Sequence, residues 1–133
     1  MKFAVEHLGL AARDPARLKD WYVATFDAEV VFDNGRVPPA FFIRVAGILI
    51  EIYEGDFALK ETGDNALQGW RHLALKVDSI EAAKTHLEGK GVIFSEGTKP
   101  AGGGGSVLFF RDPESNLLHL VERTEDSASP FAR

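Results

Sequence analysis

Apolar and polar positions along the chain repeat one order of elements twice. Residues 3–12 alternate well enough to predict a strand, and Asp14-Pro15 then opens a helix, with Asp14 as N-cap and Pro15 at the first helical position. Leu18, Trp21, Tyr22, Thr25 and Phe26 follow at helical spacing and make one mostly apolar stripe. Residues 28–32 read as a short strand closed by Asp33-Asn34-Gly35, and Pro38-Pro39 excludes regular structure there. Residues 40–45 and 48–53 form a hairpin about Ala46-Gly47. The first half is therefore strand, helix and three strands. Residues 54–69 are polar and glycine-punctuated and read as a connector.

The second half runs the same way. Residues 71–77 predict a strand, Asp78 with Glu81 resembles a capping box, and Ile80, Ala83 and Leu87 mark a helix face that Gly89-Lys90-Gly91 ends. Strands are expected at 92–95, 107–111 and 117–122, with a loop over 96–105 and a turn at Asp112-Pro113-Glu114-Ser115-Asn116. Residues 124–133 are polar and read as a loose tail. The start of each half carries nearly the same run, Glu6-His7-Leu8-Gly9-Leu10 and Arg71-His72-Leu73-Ala74-Leu75. Short repeats of this kind bury their apolar faces by packing copies together. The expected architecture is α+β: one domain over 1–133, built of two tandem βαβββ modules (3–53 and 70–123). They form a curved, mostly antiparallel sheet around a central site.

Composition narrows the function. With 45% hydrophobic residues and ten phenylalanines, 133 residues are enough for a real core. A net charge of −5 argues against a nucleic-acid surface, which needs clustered Lys and Arg. No apolar run approaches the roughly 20 residues of a membrane span, and the first residues lack a signal-type stretch. The chain has no cysteine, which excludes disulfides, thiolate nucleophiles and zinc–sulfur sites. A cytoplasmic protein with a small-molecule substrate is the expectation. Gly102-Gly103-Gly104-Gly105 lacks the Lys-Ser/Thr and the following helix of a phosphate loop, so a flexible connection or a mobile loop near a pocket is the better reading.

Four residues recur at matching places: His7 and His72 on the first strand of each half, Glu51 and His119 on the last. Glu51 lies within Ile48-Leu49-Ile50-Glu51-Ile52-Tyr53, where an ionised carboxylate facing the core would be costly, so it needs a cation or faces water. His119 lies likewise in Leu117-Leu118-His119-Leu120-Val121. Three imidazoles and a carboxylate suit a divalent metal ion (Zn, Ni, Fe, Co or Mn). The plainer alternative is that each is a wet-face residue of an antiparallel sheet. Trp21, Phe41, Phe42, Trp70 and Phe109 are pocket walls or ordinary core.

These stretches, with Trp21-Tyr22 and the run from Phe110 to Glu122 around Asp112-Pro113-Glu114-Ser115-Asn116, resemble the vicinal oxygen chelate superfamily of glyoxalase I, extradiol dioxygenases and the fosfomycin and bleomycin resistance proteins. The resemblance spans 3–123 and implies paired βαβββ modules, a central metal and commonly a homodimer. It places the metal ligands on His7, Glu51, His72 and His119, the last standing where the family usually has Glu. Glu51 then becomes the proton-shuttling base, or His119 shares that role. Glyoxalase I members hold glutathione with an Arg where this chain has Ala11 and an Asn where it has Gly55, so a substrate other than a glutathione adduct is implied. The expected function is a metal-dependent lyase or isomerase working through an enolate. An Fe(II) extradiol-type dioxygenase and a non-catalytic, bleomycin-resistance-like binding protein are the alternatives.

Overall fold

The computed structural model describes residues 1–56 and 62–124; residues 57–61 of the expected connector and 125–133 of the expected tail lie outside the described residues. The chain divides into two compact units, Met1–Lys60 and Glu61–Arg133.

The first unit runs β1 (Leu8–Ala12), α1 (Pro15–Phe26), β2 (Glu29–Asp33), β3 (Phe41–Val45) and β4 (Ile48–Glu54), with sheet order β1-β4-β3-β2. β1 pairs β4 in parallel and the other pairs are antiparallel. Asp14 caps α1 as its sequence predicts, its carboxylate accepting the Arg17 N–H at 3.1 Å with Pro15 at the helix start. Leu18, Tyr22 and Thr25 bury that helix against Phe41, Ile43, Val45, Ile50 and Ile52. Strand parity then sends Glu51, Tyr53 and Phe42 to the opposite face. The expected strand over 3–12 is paired only from Leu8 onward, where Leu8 meets Ile50 of β4; Phe3 and Val5 are exposed.

The second unit runs β5 (His72–Lys76), α2 (Ile80–Gly89), β6 (Lys99–Pro100), β7 (Ser106–Arg111) and β8 (Leu117–Glu122), in the order β5-β8-β7-β6. β5 again pairs β8 in parallel. Ile80, Leu87, Leu108, Phe110, Leu118 and Leu120 form its buried core. The two units thus repeat one βαβββ topology in an α+β fold, as expected. Among the described residues no helix is long and apolar enough to cross a membrane.

Two local expectations are corrected. Ser79, not Asp78, caps α2, accepting the Ala82 N–H at 3.1 Å. Burial of Ile80 sets the helix phase so that Glu81 falls one position short of a capping box. The strand expected at 92–95 is absent. The Val92 N–H closes the helix end on the Leu87 carbonyl at 3.0 Å, and Phe94 packs on Phe110 without joining the ladder. The strand that follows α2 is instead the two-residue β6.

The turn before β8 holds Ser115 at φ 68, a left-handed conformation that favours glycine. The Asp112 carboxylate organises it, accepting the N–H groups of Glu114 and Asn116 and the Asn116 side-chain amide at 2.9–3.0 Å. Ser115→Gly should therefore stabilise the protein by about 0.5–1 kcal/mol, the relief of strain exceeding the added unfolded-state entropy. A rise in urea midpoint at unchanged m-value is the expected observation.

Candidate metal-binding residues

Parity and register decide where each candidate side chain goes. In the first unit Glu51 stands opposite Gly9 on β1 and Phe42 on β3, on the face away from α1. His7, immediately before β1, joins that face, with its Nε2 3.8 Å from Glu51 Oε1 and its ring edge-on to Phe42 at 5.2 Å between centroids. Two donors each ~2.1 Å from one ion can be at most ~4.2 Å apart, so this pair is within reach of a single metal. His7 Nδ1 meets Glu6 Oε1 at 2.8 Å.

In the second unit Ala74 and Phe109 flank His119 in the ladder. The rings of His72 and His119 are 4.6 Å apart between centroids, and Phe109 lies 4.9 Å from His119 and 6.0 Å from His72. His119 is buried, 6% exposed, and its Nδ1 reaches the Leu120 carbonyl at 3.2 Å; His72 Nδ1 meets Asn65 Oδ1 at 2.7 Å. Lys99 extends its Nζ over the Phe109 ring, 5.7 Å from the centroid, while paired with Glu96 at 3.0 Å.

All three imidazoles thus share one arrangement. Each Nδ1 faces an oxygen acceptor and donates its proton there, which leaves the Nε2 lone pair free for a metal. The donor set, three imidazoles and a carboxylate, is chemically suited to a divalent ion. The structure brings the four residues together as two pairs, His7 with Glu51 and His72 with His119. Among the described residues, no three such side chains form a group that could hold a metal ion.

Burial holds the His119 imidazole below its ordinary value of 6.5, opposed by the Nδ1 hydrogen bond to the Leu120 carbonyl and reinforced by the electrostatic influence of nearby His72 and Arg123. A lowered folded pKa means that the unfolded chain takes up the proton first. Metal-free protein should therefore lose stability as pH falls through 6.5, by at most about 1.4 kcal/mol per pH unit, and level off below the folded value. Urea midpoints between pH 7.5 and 5.5 measure this, and His119→Gln should flatten the profile.

Of the expected pocket walls, Phe42 and Phe109 do stand beside the imidazoles. Phe41 is buried on the helix side under Lys19, Trp21 packs with Tyr22 and Phe26, and Trp70 is exposed. Sequence reasoning passed over Tyr53. It lies two residues beyond Glu51 on the same face, with its ring across Gly9, where a Cβ would stand 3.4 Å from Cε1 and 3.6 Å from the hydroxyl oxygen. The available signal was its parity with Glu51.

Two βαβββ units, each with a parallel outer strand pair and a pair of metal-type donors on the face away from its helix, define a protein of the vicinal oxygen chelate class. The chain belongs to the Glyoxalase/Bleomycin resistance protein/Dioxygenase superfamily, whose family model matches residues 4–120. Among solved structures it is similar to a glyoxalase family protein from Enterococcus faecalis, at 26% identity and TM-score 0.75, covering 90% of this chain and 97% of that one. It is also similar to SMU.1112c, at 25% identity and TM-score 0.73, covering 92% and 100%. A mutant of the genomically encoded fosfomycin resistance protein FosX from Listeria monocytogenes, complexed with Mn(II) and 1S,2S-dihydroxypropylphosphonic acid, shares the fold at 24% identity and TM-score 0.71, covering 93% of each chain. No curated protein matches the chain significantly.

Proposed function

We propose that the protein is a divalent-metal-dependent lyase or isomerase that acts on a small oxygenated substrate, with His7, Glu51, His72 and His119 as the ligands. The observation that carries this reading is the common orientation of the three imidazoles: each has its Nδ1 against an oxygen acceptor, which leaves Nε2 as the nitrogen that can face a metal. When bound, the ion supplies Lewis-acid polarisation of substrate oxygens.

The chain's own groups supply the rest. Glu51 is the one carboxylate of the set and takes the proton α to the substrate carbonyl onto its Oε, while the C–H electron pair moves to the carbonyl oxygen as an enolate. For a substrate with a hydroxyl on that α carbon, the hydroxyl proton passes to the new oxyanion, and Glu51 returns its proton to the former carbonyl carbon as the α oxygen becomes the carbonyl, so the isomerisation leaves no net change in protons. His119, kept neutral by burial, serves as a donor at pH 7 without adding positive charge. Phe42 and Phe109 keep the imidazoles beside apolar surface and exclude water from one side. Ala11 and Gly55, in place of the glutathione-holding Arg and Asn of glyoxalase I, support a substrate without glutathione.

Elemental analysis of wild type and His72→Ala, prepared identically, tests the reading. About one divalent ion per chain in the wild type, and loss of it in the variant, is the expected result. Mn(II), which accompanies the Listeria FosX, belongs in the reconstitution panel with Zn, Ni, Co and Fe(II). Absence of metal after every reconstitution would overturn the enzyme reading in favour of a metal-free binding protein.

A further inference from the structure

The segment entering β5 is fastened at several points. Gly63 is buried, and a Cβ there would overlap the Arg111 guanidinium and stand 2.7 Å from the Ser115 carbonyl oxygen, so its backbone lies flat where no side chain fits. Arg111 Nη1 also reaches the Ser115 carbonyl at 3.5 Å. Arg71 Nη1 donates to the Asp64 carbonyl at 3.2 Å, and Asp64 Oδ1 accepts the Ala66 N–H at 2.9 Å. Between these anchors Asn65 places Oδ1 2.7 Å from His72 Nδ1.

We propose that Asn65 is the positioning residue for His72, held by the Gly63–Arg111 and Asp64–Arg71 contacts so that its amide oxygen fixes the tautomer with Nε2 unprotonated. The inference rests on the metal-ligand reading of His72. Of the three imidazoles, His72 alone takes its acceptor from outside its own sequence neighbours. His7 is held by adjacent Glu6, a freely solvated side chain, and His119 by the adjacent Leu120 carbonyl. An amide oxygen orients the ring and accepts its proton without placing a second anion beside the donor set. Arg111 also ties this segment to the turn that leads into β8. The contacts that orient His72 are therefore continuous with those that place the strand bearing His119.

The test compares Asn65→Leu, which removes the acceptor at similar size, with Asn65→Asp, which keeps it. Long-range 1H–15N spectra of the metal-free protein at neutral pH should show His72 protonated on Nδ1 in wild type and Asn65→Asp, and a shift toward Nε2 protonation in Asn65→Leu. Co(II) affinity, measured by chelator competition, should fall about 10–100-fold in Asn65→Leu and stay near wild type in Asn65→Asp. An unchanged tautomer, or unchanged Co(II) affinity, in Asn65→Leu overturns the proposal. Should that variant fail to fold, Asn65→Ala is read by the same two measurements. If wild type and His72→Ala bind Co(II) alike, the metal reading fails, while the tautomer spectra still judge Asn65.

Discussion

Glu51→Gln should lower kcat for exchange of a substrate α-proton by about 10²–10⁴-fold, the range a positioned general base contributes. The substitution keeps the size of the side chain and an oxygen that can still face the ion, and it removes the basicity. Its structural cost should be small, because Glu51 lies on the face away from α1 while Ile50 and Ile52 supply the packing on either side of it. Metal content and the thermal midpoint should accordingly stay close to wild type. Measuring exchange at saturating metal separates a lost base from a weakened ligand. A kcat that survives under those conditions would move the proton transfer to His119, the other group in the set able to hold a proton.

Gly105→Ala should destabilise the protein by about 3 kcal/mol or more. Gly105 has φ 97, and a Cβ there would stand 2.0 Å from the Glu122 carbonyl oxygen and 3.0 Å from the Arg123 Cα. Both are backbone atoms at the end of β8, so no rotamer change relieves the overlap. Its neighbours provide an internal comparison. A Cβ at Gly104 meets only the Thr124 hydroxyl at 3.4 Å, leaving backbone strain at φ 98, whereas one at Gly102 has open space and no positive φ. The three alanine variants should rank Gly105, then Gly104, then Gly102, the last close to wild type, by urea unfolding. Equal effects at Gly102 and Gly105 would mean that the loop does not lie against β8 as described.

That loop also shows where a sequence misleads. Four consecutive glycines read as a flexible connection, yet Arg123 donates to the carbonyls of Gly102 and Gly104, and the Ala101 N–H closes on the Gly105 carbonyl at 3.0 Å. Gly105 is there for close approach, and the Glu122 backbone that enforces it lies far along the chain, beyond any local pattern. The same limit hid Asn65: a polar residue in a polar connector has no periodicity to betray it. Conversely, the apolar runs around Glu51 and His119 marked both as residues needing a cation or water, and the repeated His-Leu run revealed the duplicated topology. Periodicity reports burial, not pairing. Val92 is buried and Phe94 half-buried on Phe110, so the pair imitates a strand, while the real β6 contains a proline and shows almost no apolar signal.

The edge of the first unit has an evolutionary consequence. Gly55 donates its N–H to the Ala12 carbonyl at 2.9 Å, and a Cβ on it would stand 3.1 Å from the Cβ of Ala11. The two positions where this chain departs from the glutathione-binding pattern are therefore in contact and constrain each other. Asn at 55 is obstructed until the strand shifts at 11, and a longer side chain at 11 meets no partner while 55 is glycine. Gly55→Asn is therefore expected to need an accompanying change at Ala11, so the two positions are coupled by geometry and not independently variable.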